Sequence, residues 1–198
     1  MDGHPAGYIQ NFKTGVQENW KSGAPMQALG TQDRARLAAE AAQKAHIRAV
    51  ERETAARAAA LTVEAVLAAA PAASAMYPYL FAKNIEPGEL HQGASGQTIT
   101  TTKKFGRPKE ANLEGKLIVP MRDIDGRIGS IQTIDGEGSK SFHKGGRVEG
   151  MHVIVCGELK PDEPIIIAEG YATAATLSEA ASLPVIAAFN AGNIAPVA

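Results

Sequence analysis

Pro164-Ile165-Ile166-Ile167-Ala168-Glu169-Gly170 and Pro184-Val185-Ile186-Ala187-Ala188-Phe189 decide how this chain folds. Each is a continuous apolar run opened by proline, the pattern of a strand covered on both faces rather than one. The residues between them, 172–181, are alanine-rich, free of Gly and Pro, and read as a helix. Strand, helix and strand in that order make a parallel crossover, which twisted strands close right-handed. Two parallel strands cover too little surface to bury both faces. The unit is therefore expected to be the start of a larger α/β layer.

Working outward, residues 116–160 alternate in the manner of antiparallel strands. Leu117-Ile118-Val119-Pro120 reads as a strand, and Asp125-Gly126 predicts a type I′ hairpin turn with φ > 0 at both central residues. Residues 129–134, 140–143 and 153–155 are further short strands, with Asp135-Gly136-Glu137-Gly138 as a second turn. Residues 91–111 are polar and Gly/Thr-rich, a loop or weak ribbon. Residues 74–85 form a short helix with aromatic anchors, closed by Pro87-Gly88. Sixteen of the forty residues 31–70 are alanine, which predicts a long helix ended by Pro71. Glu40–Lys44 and Glu53–Arg57 pairs support it, and Ile47, Val50, Thr54 and Leu61 mark a thin apolar stripe. Residues 7–20 read as a two-stranded ribbon that the sequence enters in mid-pattern, as a piece of a longer chain would. The expected class is α+β. Its segments are a small β unit (1–30), a long helix (31–70), a helical and loop connector (71–115), a β subdomain (116–160) and an incomplete α/β domain (161–198).

Composition limits the function. The 198 residues are 44% hydrophobic and 21% charged, which excludes wholesale disorder. A net charge of −1 excludes a uniformly basic nucleic-acid coat, although residues 1–110 hold 13 basic and 10 acidic groups against 7 and 11 in residues 111–198. A lone Cys156 and five scattered histidines exclude a disulfide scaffold and a Cys-rich zinc module. No run of about 18 apolar residues occurs, and Asp2, His4 and Pro5 break up any signal peptide. A cytoplasmic protein with no membrane partner is expected.

Glu169 stands at the carboxyl end of the first buried strand, where open α/β sheets bind ligands. There it either holds a hard cation or acts as a base, or else it caps the following helix. Asn190 and Gly192 face the same edge, as phosphate-orienting amides or as an ordinary turn. Lys140 and Arg122, on the preceding β unit, either neutralise phosphates or decorate the surface. Lys103, Lys104, Arg107 and Lys109 are the densest basic cluster and a candidate DNA-binding patch.

The stretch Ile165 to Ala174, with its Glu169-Gly170-Tyr171-Ala172-Thr173-Ala174 core, followed by Val185 to Asn193, resembles the first half of a toprim domain. The nearest likeness is to primases of conjugative plasmids and of satellite-phage primase-helicases. Leu117 to Gly126 and Lys140 to Arg147 are similar to the basic β subdomain that precedes toprim in bacterial primases. Tyr8 to Trp20, the alanine-rich helix and Tyr79 to Ile85 are similar to plasmid-type chains. The resemblance implies synthesis of short RNA primers on single-stranded DNA, with Glu169 near a Mg²⁺ ion as ligand or acid/base and Lys140 on nucleotide or template. It also implies nucleotides and single-stranded DNA as partners, and a helicase or other replication protein beside them. Phosphoryl transfer of this kind relies on charge neutralisation and alignment.

The chain departs from that family in one respect. A toprim domain carries an Asp-x-Asp metal pair on a later strand, whereas Asp123-x-Asp125 lies on the earlier hairpin and reads as turn chemistry. After Glu169 the only acid is Glu179. The expectation is a primase fragment with little activity alone, its Mg²⁺ not stably held. The alternative is a non-catalytic module that binds single-stranded nucleic acid or another protein. No tyrosine is placed as a strand-cleaving nucleophile, which disfavours a toprim nuclease or topoisomerase.

Overall fold

Both faces of one antiparallel sheet are covered, and that sheet organises most of the chain. A computed structural model describes residues 6–11, 14, 16–21, 30–102 and 109–198. They divide into two units, Met1–Ile47 and Arg48–Ala198. In the first, β1 (Ala6–Gln10) pairs antiparallel with β2 (Gln17–Lys21), with Ala6 opposite Lys21 and Gln10 opposite Gln17. Helix α1 (Thr31–Ala69) contributes residues to both units.

Alanine makes α1 a helix, but it hides which face is apolar. Of the expected stripe, Ile47, Val50 and Leu61 are 48%, 51% and 69% exposed. The buried residues are instead Ala59, Val63 and Val66, spaced for one face of the last turns. Small side chains let the backbone approach closely, so alanine itself supplies part of the contact. Arg57 Nε meets Glu53 Oε1 at 3.0 Å as expected, while Glu40 pairs with Arg36 at 3.9 Å. These exposed pairs contribute a few tenths of a kcal/mol.

The second unit holds helix α2 (Pro78–Lys83) and six strands: β3 (His91–Gln92), β4 (Thr98–Thr102), β5 (Lys109–Asn112), β6 (Leu117–Arg122), β7 (Ile128–Ile134) and β8 (Lys140–His143). They form one antiparallel sheet in the order β3-β6-β7-β8-β4-β5. Strand alternation sorts the side chains. Ile118 and Ile131, with Ile99 and Leu113, pack against Val63 and Val66 of α1. Leu117, Val119, Met121 and Ile134 face the other way, into a larger core. Full burial of such side chains contributes roughly 1.5–3 kcal/mol each.

That larger core is shared with β9 (Val153–Val155), β10 (Ile166–Ala168), α3 (Tyr171–Ala181) and β11 (Val185–Ala187). The expected crossover is present: β10 and β11 are parallel, with Ile166 opposite Val185 and Ala168 opposite Ala187. The pair gains a third strand, because β9 runs antiparallel on the far side of β11. The sequence pattern assigns 153–155 to the preceding β subdomain. Its apolar side chains instead find cover beside β11, where Val153 and Val155 enter the larger core. A single 3₁₀ turn (Ala191–Asn193) and the short helix α4 (Ile194–Val197) follow.

The β6–β7 hairpin forms by other means than a type I′ turn. Only Gly126 has positive φ, at 80°, and its N–H donates to Asp123 O at 2.9 Å, as in a type I turn followed by a left-handed glycine. Asp123 Oδ1 accepts from the N–H groups of Asp125 and Arg127. Asp135 repeats the device, accepting from Glu137 and Ser139, with Gly138 at φ 87°. An aspartate that binds the backbone two and four residues on is turn chemistry, and Asp123-x-Asp125 is used in that way.

Candidate active site

The parallel register sends two loops out at one edge. Ala188 N–H donates to Ala168 O at 2.8 Å, so Glu169-Gly170 and Phe189-Asn190 leave the sheet side by side. This is the carboxyl edge, where open α/β sheets receive ligands.

Strand β8 reaches the same place from the antiparallel sheet. Lys140 and Phe142 are two residues apart and share a face. The Phe142 ring meets Phe189 edge-on, with centroids 6.4 Å apart and planes at 85°. Lys140 Nζ lies 3.4 Å from the position that a Cβ on Gly170 would take. The absence of that side chain leaves the ammonium open space against the backbone that follows Glu169. Two residues singled out from sequence, 29 positions apart, are thus brought to one edge.

Glu169 is exposed and does not cap α3. The cap residue is Gly170, extended at φ −135° and ψ 154°, with no side-chain cap bond. Among the described residues, neither the Glu169 carboxylate nor the Lys140 ammonium has a hydrogen-bond or ion-pair partner. Both remain available to a ligand.

Phe189 holds φ 70°, a conformation that bulky side chains rarely adopt, while 6% exposed. The strained residue turns the chain out of β11 and presents Asn190 at the edge. Asn190 is extended, its carbonyl accepts from Asn193 N at 3.1 Å, and its side chain makes no cap bond. Gly192 is exposed beside it: a Cβ there would stand 3.3 Å from Asn190 Oδ1.

Asn193 plays a part that the Asn/Gly turn reading missed. It is 3% exposed; Nδ2 donates to Met151 O and Ala188 O, and Oδ1 accepts from Gly150 N–H, each at 2.8 Å. It therefore ties the strained exit of β11 to the loop before β9. A second amide in one short turn was the available signal, but sequence does not show which of the two points inward.

The other expected residues are elsewhere or otherwise engaged. Arg122 Nη1 donates to Gly126 O at 3.1 Å, back onto its own hairpin. Lys109 is exposed at the start of β5. Lys103, Lys104 and Arg107 lie outside the described residues.

A divalent cation needs several oxygen ligands. Among the described residues no three His, Cys, Asp or Glu groups gather as such a set. Glu169 alone, beside an ammonium, does not fit a resident Mg²⁺. What the edge does offer is one carboxylate, one unpaired ammonium and a turn of exposed backbone, an arrangement suited to a phosphate-bearing ligand.

The flanking tyrosine and histidine are structural. Tyr171 donates its O–H to Pro87 O at 3.1 Å, and burial, with Glu89 adding to it, pushes its pKa up to about 12. His143 Nδ1 lies 2.7 Å from Thr100 O, and burial lowers its pKa against the weaker, raising effect of that bond.

Across 200 aligned residues, covering its whole length, the chain is 36% identical to DNA primase TraC of Escherichia coli. The chain is similar throughout to a segment of DNA primase TraC. A second Escherichia coli protein of that name is 37% identical over 200 residues. The chain spans 17% and 12% of these two TraC proteins. No family model matches it, and no solved structure does. The resemblance to DNA primases drawn from the sequence is borne out by the likeness to TraC. Among the described residues, no helix is long and apolar enough to cross a membrane.

Proposed function

We propose that this chain is the part of a DNA primase that grips the nucleotide or template phosphates beside the reacting centre, within the first crossover of a toprim-like domain. The observation that carries this reading is the juxtaposition of Lys140 with Glu169-Gly170, in a chain similar from end to end to a primase segment. Lys140 supplies a mobile positive charge for a phosphate. Glu169 supplies a carboxylate able to hold a cation or take a proton. Asn190 and Gly192 bound the same edge. Arg122 and the basic residues Lys103, Lys104, Arg107 and Lys109 act as further contacts to single-stranded DNA.

In this reading Mg²⁺ is held only when carboxylates from further parts of the primase join Glu169, and the chain alone makes little or no primer. Single-stranded DNA and nucleotides are the partners, with a helicase or replication protein acting alongside.

The test is template-directed primer synthesis with Mg²⁺ and nucleotides, run on this chain and on a longer primase that contains it. The chain alone is expected to be inactive. In the longer protein Glu169→Gln abolishes synthesis, Lys140→Gln weakens nucleotide or template use, and both variants keep the native circular dichroism spectrum. Full synthesis by folded Glu169→Gln protein overturns the assignment.

A further inference from the structure

Away from that edge, a cavity of about 660 Å³ opens along β9, between the 75–90 segment and α3. That volume falls within the roughly 300–1,000 Å³ range of ligand pockets. Leu80, Leu90, Val155 and Ala175 form an apolar floor. Met76 and Phe81 stand at its mouth, 72% and 67% exposed. Three carboxylates line it, those of Glu86, Glu89 and Glu179, and among the described residues no lysine, arginine or histidine does.

Five consecutive residues of β9 and its exit, 153–157, line this cavity. A strand face would contribute alternate residues, so it is the backbone edge that borders the space. The hydrogen bonds agree. His152 exchanges both of its backbone bonds with Arg122, each at 2.8 Å, so Ile154, two residues on, turns its N–H and C=O to that same side. Ala188 N–H bonds to Ala168 across β10, which turns Ile186 toward β10 as well and leaves Val185 and Ala187 to bond β9. Ile154 therefore points its backbone away from β11, and the sheet order ends at β9. β6 occupies this side at His152, and among the described residues Ile154 is the stretch of edge left to template an added segment.

We propose that the β9 edge and its cavity bind an extended segment of a partner protein, carrying alternate apolar and basic residues, as an added β-strand. The ladder supplies orientation, the floor receives apolar side chains, and the three carboxylates select lysine or arginine over acidic residues. Cys156 and Gly157, at φ 59° and 77°, bend the chain away after Val155. The added pairing is thus short, and most of the affinity comes from the cavity and the carboxylates.

The probe is a fluorescein-labelled octapeptide of alternating valine and lysine, titrated into the full chain and followed by anisotropy and amide hydrogen exchange. Saturable binding is expected, with new protection at Ile154. Binding weakens at least about tenfold in the Glu86→Gln/Glu89→Gln/Glu179→Gln variant, whose surface changes leave the fold intact by circular dichroism. A valine–glutamate octapeptide is expected not to bind. A valine–lysine octapeptide N-methylated on alternate residues, unable to complete the ladder, loses binding. No saturation, equal binding by the glutamate or N-methylated peptide, or an unaffected triple variant would overturn the proposal. So would a self-associated dimer, seen by sedimentation, that the triple variant abolishes and the peptide does not dissociate.

Discussion

Lys140 Nζ on β8 approaches to 3.4 Å the point at which a Cβ on Gly170 would sit. At that distance a methyl group makes ordinary contact, and the extended backbone of Gly170 accepts any residue. Gly170→Ala is therefore expected to cost no more than about 1 kcal/mol, the scale of replacing a good N-cap by alanine. Gly170→Val adds two carbons beside the ammonium. In a longer primase containing this chain, it should lower primer synthesis to the level of Lys140→Gln, with a melting temperature close to that of Gly170→Ala. Undiminished synthesis by Gly170→Val would show that Lys140 does not act from this position.

Asn193 satisfies three backbone groups within the core, two carbonyls and one N–H. Asn193→Ala strands all three, and each buried polar group left without a partner costs roughly 1–3 kcal/mol before relaxation and water entry. A net loss of roughly 2–4 kcal/mol is expected in urea unfolding. Asn193→Asp keeps the acceptor but loses the donor for Met151 O and Ala188 O, and is expected to be little better. A change below about 0.5 kcal/mol, the range of an ordinary surface substitution, would mean that the three bonds do not hold the turn.

The crossover was legible because its signal is coarse: two apolar runs around an alanine-rich stretch admit few other arrangements. The paired aspartates of the hairpin were legible as turn chemistry, since Asp123 sits three residues before Gly126. The allegiance of Val153-Ile154-Val155 was not. Three apolar residues fit either sheet, and burial beside β11 decides between them. The working face of α1 was equally hidden, because alanine packs as readily as it faces water. Lys140 lies between these cases. Its alternation with Phe142 places it on the core-facing side of β8, but no local pattern says which loop it will meet there.

His143 is buried on β8 and neutral at pH 7, with its pKa below the ordinary 6.5. The unfolded state then takes up a proton at higher pH than the folded state does. Its contribution to stability is therefore complete above about pH 6.5 and is lost as the pH falls below that value toward the folded pKa. Thermal melts between pH 7.5 and 5 should show a decline that His143→Gln flattens. An unchanged slope in that variant would place the acid sensitivity in other groups.

Tyr171 gives the opposite sign. Its O–H is held by Pro87 O, and its pKa is pushed up to about 12, well above the 10.0 of a free tyrosine. The unfolded chain loses this proton first, so the contribution is complete below about pH 10 and disappears as the pH rises toward 12. Burial raises Tyr77 and Tyr79 as well, so ultraviolet titration should show late phenolates, and Tyr171→Phe should remove the last of them. The phenylalanine variant also leaves Pro87 O without its donor, a loss of roughly 1 kcal/mol at neutral pH. Above pH 10 the unfolded wild type gains stability by ionising while the folded protein keeps its proton, so this advantage over the phenylalanine variant shrinks and the two melting curves should converge. Curves that stay parallel to pH 11.5 would show that the Tyr171–Pro87 bond does not link α3 to the 85–90 loop in solution.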